Sequence, residues 1–501
     1  MPTSGTTVVV FYNADQKGQP MHECHGFDLS ATPAFHALEE LVRVRLAQPP
    51  DQAAVEQPDF ERRLRTAMAE VERAVHVEDL SRLDVEHDGL VVDGVRYRRV
   101  PEKTRGLYET LAGQIEVKRS LYRARGGHGG ATICPLEMRV GILGGSWTPL
   151  AAEVASRFMA SAPSQEAAEL LESVGGMTPS PAHLDRLPKA FNRAWEADRA
   201  RFEAALRTAE SERLPALADV ALILVSLDGI MVPMKDAPRT PGAGKQDCGP
   251  KGYQEAACGT LALFDAAGNR LHTIRVARMP ESKKVVLQAQ LTAELAWLVE
   301  RYPDAKLQAV ADGADENWRI IEEIGTELHV TIEPVLDYFH AVEHIDEGLR
   351  RHAGRDQEQA SADIRYWHGV LRDDPQGVQK VLRALEYRAR KASGTKRDDI
   401  LQQFNYIDKR KGMMAYARLR QENRPIGSGI QEAACKTLVA QRMKRSGMTW
   451  RHPGGQGILT LRSLQQSDRA HDAWNILRPA IRKDFTVDED RGRLQPLRQA
   501  A

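Results

Sequence analysis

From residue 217 onward the chain carries short β-rich apolar runs around a single amphipathic helix, and this order constrains the fold more than any other feature. Residues 220–227 form the first run, 260–264 and 271–277 read as two more strands, 305–311 as a fourth and 327–332 as a fifth. Between the third and fourth, Leu287, Leu291, Leu295 and Leu298 fall on one helical face and predict a helix of about five turns. Three strands, a helix and a further strand make an α/β arrangement with a mixed sheet.

The flanking sequence differs in character. The first sixty residues carry little periodicity, and 48–57 reads as a Pro/Gln/Ala linker or loop. Residues 60–75 have a charged helical pattern, and 90–100 predict a hairpin turning at Asp93-Gly94, so a small α+β module is expected. Residues 115–135 alternate like a strand through Val117, Leu121 and Tyr122, then enter a glycine-rich loop, Gly126 to Gly130, before Cys134. That loop reads as a flexible tip or the remains of a metal knuckle. Ala167, Leu170, Leu171 and Val174 define a helix that Gly175-Gly176 ends, and Ser180-Pro181 starts another over 181–191. Helix, glycine turn, helix suits a helix-turn-helix whose second helix presents His183, Arg186 and Lys189 to a DNA major groove, although plain helical hairpins share the pattern. Residues 189–210 continue as a charged amphipathic helix, and the ninety residues after Asp337 are almost wholly helical, with breaks at Pro375-Gln376-Gly377 and Ser393-Gly394.

Charge and cysteine usage narrow the function classes. Charged residues make up 28% of the chain, and its apolar runs fall far short of the roughly 18–20 residues of a membrane helix. A membrane-spanning protein is therefore excluded, and with no secretory signal legible the expected location is cytoplasmic. Cys24, Cys134, Cys248, Cys258 and Cys435 lie far apart with no C-x-x-C pair, which argues against a disulfide framework and a zinc ribbon. Lysine and arginine number 69 against 69 aspartates and glutamates, yet that balance hides local asymmetry. From Lys409 to Arg451 eleven basic residues face only Glu422 and Glu432. Such a run is either a solvated helical surface or a phosphate-binding one.

Three carboxylates carry the chemical argument. Asp228 follows the first apolar run and Asp312 the fourth, each before a glycine, at strand ends where ligands bind in α/β sheets. Each also fits a simple turn-opening Asp. Paired carboxylates repel, and a divalent cation bound through oxygen is the usual way to hold them together. In Pro425-Ile426-Gly427-Ser428-Gly429-Ile430-Gln431-Glu432, Ser428 and Gln431 form a capping-box pattern that starts a helix near Gly429, with Glu432 in its first turn and Lys436 four residues on. Two strand-end aspartates and a helical glutamate inside a basic stretch make a two-metal phosphoryl-transfer constellation. Lys436, Arg442, Lys444 and Arg445 are the expected phosphate contacts, and Trp450 either stacks on a base or caps the core beside Met443.

These motifs resemble those of the ISKra-type bacterial insertion-sequence transposases, within the DDE transposases that share an RNase H-like catalytic core. The resemblance rests on Val225-Ser226-Leu227-Asp228-Gly229, on Ala311-Asp312-Gly313-Ala314, and on Asp337-Tyr338-Phe339-His340-Ala341-Val342-Glu343-His344. It rests above all on Gly427-Ser428-Gly429-Ile430-Gln431-Glu432 with Cys435-Lys436, Gln441-Arg442-Met443-Lys444 and Gly447-Met448-Thr449-Trp450. It covers about residues 120–475.

The resemblance implies an RNase H-like mixed five-stranded α/β sheet with flanking helices and an all-helical insertion, preceded by an α+β and helical N-terminal DNA-binding region. It implies catalytic and metal-binding roles for Asp228, Asp312 and Glu432, with Mg2+ as cofactor and Mn2+ as substitute. Asp337 and His340 match the Asp-x-x-His motif shared with Mutator-like transposases, His340 being either a DNA-positioning group or a core histidine. Where relatives carry a cysteine-pair knuckle, only Arg123, Arg125, His128 and Cys134 stand here, which argues against zinc.

The domains expected are an N-terminal region of unclear role (1–120), a helix-turn-helix-like DNA-binding region and linker helix (121–215), and the first part of the core (216–336). A helical insertion (337–424), the C-terminal part of the core carrying the Glu (425–478) and a tail (479–501) follow. The function implied is cleavage and strand transfer of double-stranded DNA, at element terminal inverted repeats and target DNA, by a nucleoid-associated homodimer or larger assembly. The alternatives are an inactive DNA-binding derivative or an RNase H-like nuclease.

Overall fold

The expected runs pair as one mixed sheet in a computed structural model that describes residues 27–124, 132–174, 176–235, 252–350 and 357–488. Its strands are β1 (Leu222–Met234), β2 (Gly252–Phe264), β3 (Arg270–Arg278), β4 (Lys306–Ala311) and β5 (Glu333–Leu336), in the spatial order β5-β4-β1-β2-β3. β1, β2 and β3 are antiparallel neighbours, while β4 runs parallel to β1 and β5 parallel to β4. The parallel pairs need crossovers, which the helices Val285–Arg301 and Asp315–Glu327 supply.

Two expected boundaries are corrected. The first apolar run ends at Leu227, but its strand continues to Met234 because β1 and β2 form a long two-stranded arm paired from Leu222↔Phe264 to Met234↔Gly252. Asp228 thus lies within a strand, at the level where β4 has already left it. Residues 327–332 are not the fifth strand, since the preceding helix runs to Glu327 and the chain then turns with His329 at φ 54°. The strand is Glu333–Leu336, and its Pro334 is tolerated because β5 is an edge.

Side-chain alternation along β1 divides the core. Ile223, Val225 and Leu227 face Leu287, Leu291, Leu295 and Leu298 together with Trp318, Ile321 and Ile324. Leu222 and Leu224 face the opposite way, onto a cluster with Val335, Ala341, Ile345, Leu385, Ile400 and Ile407. That second layer is the helical insertion, made of Tyr338–Arg350, Gln357–Asp373, Gly377–Lys391 and Thr395–Arg410, with breaks where the sequence places them. Further along the arm, Val232 and Met234 meet Ala434, Cys435, Leu438, Val439 and Met443, the stretch that follows Glu432.

The described residues divide into two compact units, one of 27–124, 132–136, 176–177 and 485–488, the other of 137–174, 178–235, 252–350 and 357–484. In the first, the helix Gln57–Arg82 and the hairpin Gly89–Val92 with Val95–Arg99 appear as expected. Asp93 and Gly94 both take positive φ, 49° and 76°, the conformation a tight two-residue turn demands. Residues 48–57 are not simply a linker: Pro50–Val55 is helical, with proline at its first position. Among the described residues no helix is long and apolar enough to cross a membrane, and Cys134, Cys258 and Cys435 are free and buried. Cys24, Cys248 and the glycine-rich loop with Arg125 and His128 lie outside the described residues.

Within the second unit, the buried Arg469 ties two helices to the start of Ala470–Ile481. Its guanidinium donates to Glu210 Oε2 at 2.8 Å and to Glu294 Oε1 and Oε2 at 3.1 and 2.8 Å. All three residues are buried, and removing the cation leaves Glu294 with Arg207 alone, at 3.1 Å, and Glu210 with His272 alone, at 2.9 Å, in a low-dielectric site. Arg469→Leu is expected to lower unfolding stability by about 3–5 kcal/mol in denaturant titration, far more than a substitution at a solvent-exposed arginine.

Candidate active site

Register builds the site. β4 pairs with β1 as Ala309↔Val225, and β5 with β4 as Ala311↔Leu336. The same offsets, carried past the last paired residues, set Asp312 level with Asp228 and Asp337 level with Asp312. Three aspartates thus stand in one row across neighbouring strands about 4.8 Å apart. The chain leaves the β4–β1 pairing at this row, which opens the carboxyl edge where open α/β sheets bind ligands.

Each carboxylate is held differently. Asp228 Oδ1 accepts from the Gly229 N–H at 2.6 Å, and Oδ2 accepts from the Cys435 thiol at 3.6 Å. Burial pushes the Asp228 carboxyl up, and the Asp312 and Glu255 charges add to that push; the bonds from Gly229 and Cys435 oppose it, yet its pKa remains raised. Asp312 Oδ1 accepts from Ala314 N at 3.0 Å and Asn317 Nδ2 at 3.2 Å, while its carbonyl accepts from Trp318 Nε1 at 2.7 Å. Asp337 is buried and fully engaged: it accepts from Phe339 N at 3.1 Å, Ser428 N at 3.2 Å and Ser428 Oγ at 2.8 Å.

Those Ser428 contacts correct the capping-box expectation. A helix does start at Gly429, but Ser428 makes no side-chain cap, because its hydroxyl serves Asp337. Gln431 is turned inward, with its amide on Thr260 Oγ1 at 2.9 Å and the Cys258 carbonyl at 2.9 Å. These bonds dock the helix Gly429–Ala434 on β2 with Glu432 exposed on its outer side. A π-helical stretch, Cys435–Ala440, follows at once and brings the Cys435 thiol onto Asp228. The contact with Cys258 and burial push that thiol's pKa far up, so it stays protonated and donates.

Asp228, Asp312 and the helix of Glu432 therefore share one end of the sheet. Among the described residues, no three His, Cys, Asp or Glu side chains lie at metal-holding spacing, so Glu432 does not close on the two aspartates. The donor chemistry is that of a hard divalent cation nonetheless, since the carboxylates offer oxygen and the Asp312 charge acts on Asp228. On the insertion, His340 is half-buried, 3.6 Å from Glu343, and its ring lies 5.1 Å from that of His344. His344 stacks on Tyr406 at 3.6 Å and reaches Gln403 Oε1 at 2.6 Å.

The basic stretch is less free in space than in sequence. Arg410, Lys411, Arg418, Arg420 and Arg424 pair with acids, among them Asp315, Asp408, Glu333, Asp373 and Glu422. Arg442 is corrected as a phosphate contact: it is buried, its Nε donates to the Met159 carbonyl at 3.1 Å, and its guanidinium lies 5.3 Å from the Trp450 ring centroid. Burial and the Arg462 and Arg445 charges pull its pKa down to about 10. Arg445 pairs with Glu166. Trp450 caps the core, since its Nε1 donates to the Met443 carbonyl at 2.9 Å.

Among the described residues Lys436, Lys444 and Arg451 are exposed and outside the ion pairs. The expected second helix 181–191 is broken into Pro181–Leu184 and Leu187–Glu196, the interruption falling where Pro188 has no N–H to donate back to Leu184. His183 bonds Ser146 Oγ at 2.7 Å and packs on Trp147, whereas Arg186 and Lys189 are exposed. Lys189, Lys235 and Arg451 line a cleft of about 560 Å³ with Arg442 and Trp450, and among the described residues Asp185 is its only acid.

No family model matches the chain, and no curated protein matches it by sequence. Among solved structures it is similar to the Drosophila P element transposase strand transfer complex, at 10% identity, with 65% of this chain and 80% of that one covered and a TM-score of 0.25. A superposition this loose identifies neither a fold nor an activity.

The electrostatics of the aspartate row make a stability prediction. With its native pKa above the usual 3.8, Asp228 stabilises the fold while protonated; that contribution is complete below pH 3.8 and lost as pH rises through the native value. Above it the ionised group is destabilising. In metal-free buffer at pH 8, Asp228→Asn is expected to gain on the order of 0.5–2 kcal/mol, read as a higher melting temperature, and the gain should vanish at about pH 3.5.

Proposed function

We propose that this chain is a metal-dependent DNA transposase with an RNase H-like catalytic core, acting by cleavage and strand transfer through Asp228, Asp312 and Glu432. The observation that carries the reading is the alignment of Asp228 and Asp312 on adjacent parallel strands, with the helix of Glu432 fastened to Asp228 through the Cys435 thiol. The strand order, three antiparallel strands followed by two parallel ones, supports the RNase H-like assignment. The oxygen donors suit Mg2+ or Mn2+, and Asp228, Asp312 and Glu432 are the residues that would hold it.

When bound, divalent cations at such a site lower the pKa of water and neutralise charge on the phosphodiester. The chain's own residues do the positioning. Asn317 and the Ala314 N–H aim the Asp312 carboxylate, and Gly229 and Cys435 aim that of Asp228. Asp337 fixes Ser428 and hence the start of the helix that carries Glu432. In this reading Asp337 is a positioning residue, and the exposed Lys436 and Lys444 meet the DNA backbone beside the carboxylates. His340, half-exposed on the insertion, faces a flanking phosphate. Transposition joins two ends to a target, so a homodimer or larger assembly belongs to the proposal, as does a bacterial insertion-sequence origin.

Wild type and Asp312→Asn, incubated in Mg2+ or Mn2+ with labelled DNA from the flanks of the coding sequence and a plasmid target, test this. Nicking and joining are scored separately. Metal-dependent joining that falls at least about 10³-fold in the variant is expected; binding without either reaction would indicate an inactive derivative, and nicking without joining a nuclease. The cleft makes a second prediction. Replacing Lys189, Lys235 and Arg451 together by alanine should weaken duplex binding regardless of sequence and lower the log–log salt slope by roughly 2–3, measured by fluorescence anisotropy.

A further inference from the structure

Beside the aspartate row lies a buried cation that no motif announces. Lys284 is 8% exposed, and its Nζ lies 2.8 Å from Glu255 Oε1, 3.3 Å from Glu316 Oε2 and 3.0 Å from Asn317 Oδ1. Two of these partners reach the candidate carboxylates. Asn317 donates to Asp312 Oδ1 at 3.2 Å. Glu255 lies against Gly229, so closely that a Cβ there would collide with its carboxylate, and its charge acts on Asp228. The ammonium therefore joins the surroundings of both aspartates.

The backbone that presents it is strained. Lys283 (φ 55°, ψ 17°) and Lys284 (φ 52°, ψ 35°) are consecutive left-handed residues, and neither is glycine, asparagine or aspartate. Side chains with a Cβ avoid that region, and residues held there cluster where function over-determines the structure. Lys284 itself makes no side-chain capping bond, and the turn folds Glu281 back so that its Oε1 accepts from the Leu287 N–H at 2.9 Å at the start of the following helix. The turn also carries the ammonium from the start of Val285–Arg301 into the group formed by Glu255, Glu316 and Asn317.

We infer that Lys284 is a positioning residue of the proposed reaction, an internal cation that orients Asp312 through Asn317 and restrains Glu255 beside Asp228. The inference rests on the catalytic reading above. It has a signature that a purely structural lysine lacks. Deleting the ammonium leaves the site more negative, so a divalent cation binds more tightly, while Asp312, less firmly aimed, supports a slower reaction. A residue that merely stabilises the fold would weaken metal binding and activity together.

The test uses the full chain in two measurements. Melting temperature is followed against Mn2+ alone, without DNA, and single-turnover nicking of the flanking-DNA duplex is followed at saturating Mg2+. For Lys284→Met, the Mn2+ half-point is expected to fall about tenfold and the nicking rate to fall at least tenfold. Asn317→Ser keeps the ammonium but cuts its link to Asp312, and is expected to lose rate with the half-point within twofold of wild type. An unchanged rate in a folded Asn317→Ser protein overturns the inference, as does a Lys284→Met protein that binds Mn2+ more weakly. If wild type shows neither nicking nor an Mn2+ response that Asp312→Asn removes, the catalytic reading itself fails.

Discussion

Everything at this site depends on the register of three parallel strands. A slip of one residue between β1 and β4 would turn one carboxylate to the opposite face of the sheet, since side chains alternate along a strand. The register is secured by the core. Ile223, Val225 and Ala309 are buried against the Val285–Arg301 helix, while Leu222, Leu224 and Val310 face the insertion. A shift in either direction would exchange the residues that fill these two layers and lose their fit, so apolar packing away from the carboxylates fixes where they stand.

The sequence made much of the sheet legible because its first four strands each contain a short apolar run, such as 220–227 and 260–264, separated by clear breaks. Its failures share a cause. Beyond Leu227 the β1 strand contains Asp228, Gly229 and Pro233, residues that read as a turn, yet the pairing with β2 carries them as one arm. The fifth strand was displaced because Pro334 weakens its signal and the preceding helix extends to Glu327. In both places tertiary pairing overrides local preference.

At the site, the aspartates and the Glu432 helix were visible as residues with unusual neighbours, whereas their fastenings were not. Nothing in the sequence around Ser428 distinguishes a helix cap from a partner of Asp337, because both use the same hydroxyl. Lys283 and Lys284 likewise read as an ordinary charged lead-in to a helix; only the backbone shows their left-handed turn. The basic stretch erred the other way. Its charge is concentrated along the chain, but folding brings Glu333, Asp373, Asp315 and Glu166 against it, so most of the excess is taken up by ion pairs.

The bonds of Asp337 to Ser428 have a partner in the Tyr338 N–H, which donates to the Ile426 carbonyl at 2.9 Å. Chain entering the helical insertion is therefore stitched to chain leaving it, and the doorway stays shut whatever lies beyond. Closing a loop costs only slowly more as it lengthens, so with the doorway held by the core, residues can be added to or removed from the far helices almost without entropic consequence for the sheet. The insertion is in this sense a cargo slot: its length can drift over evolution, provided that Tyr338, Ala341 and Ile345 still cover the apolar face they share with β5.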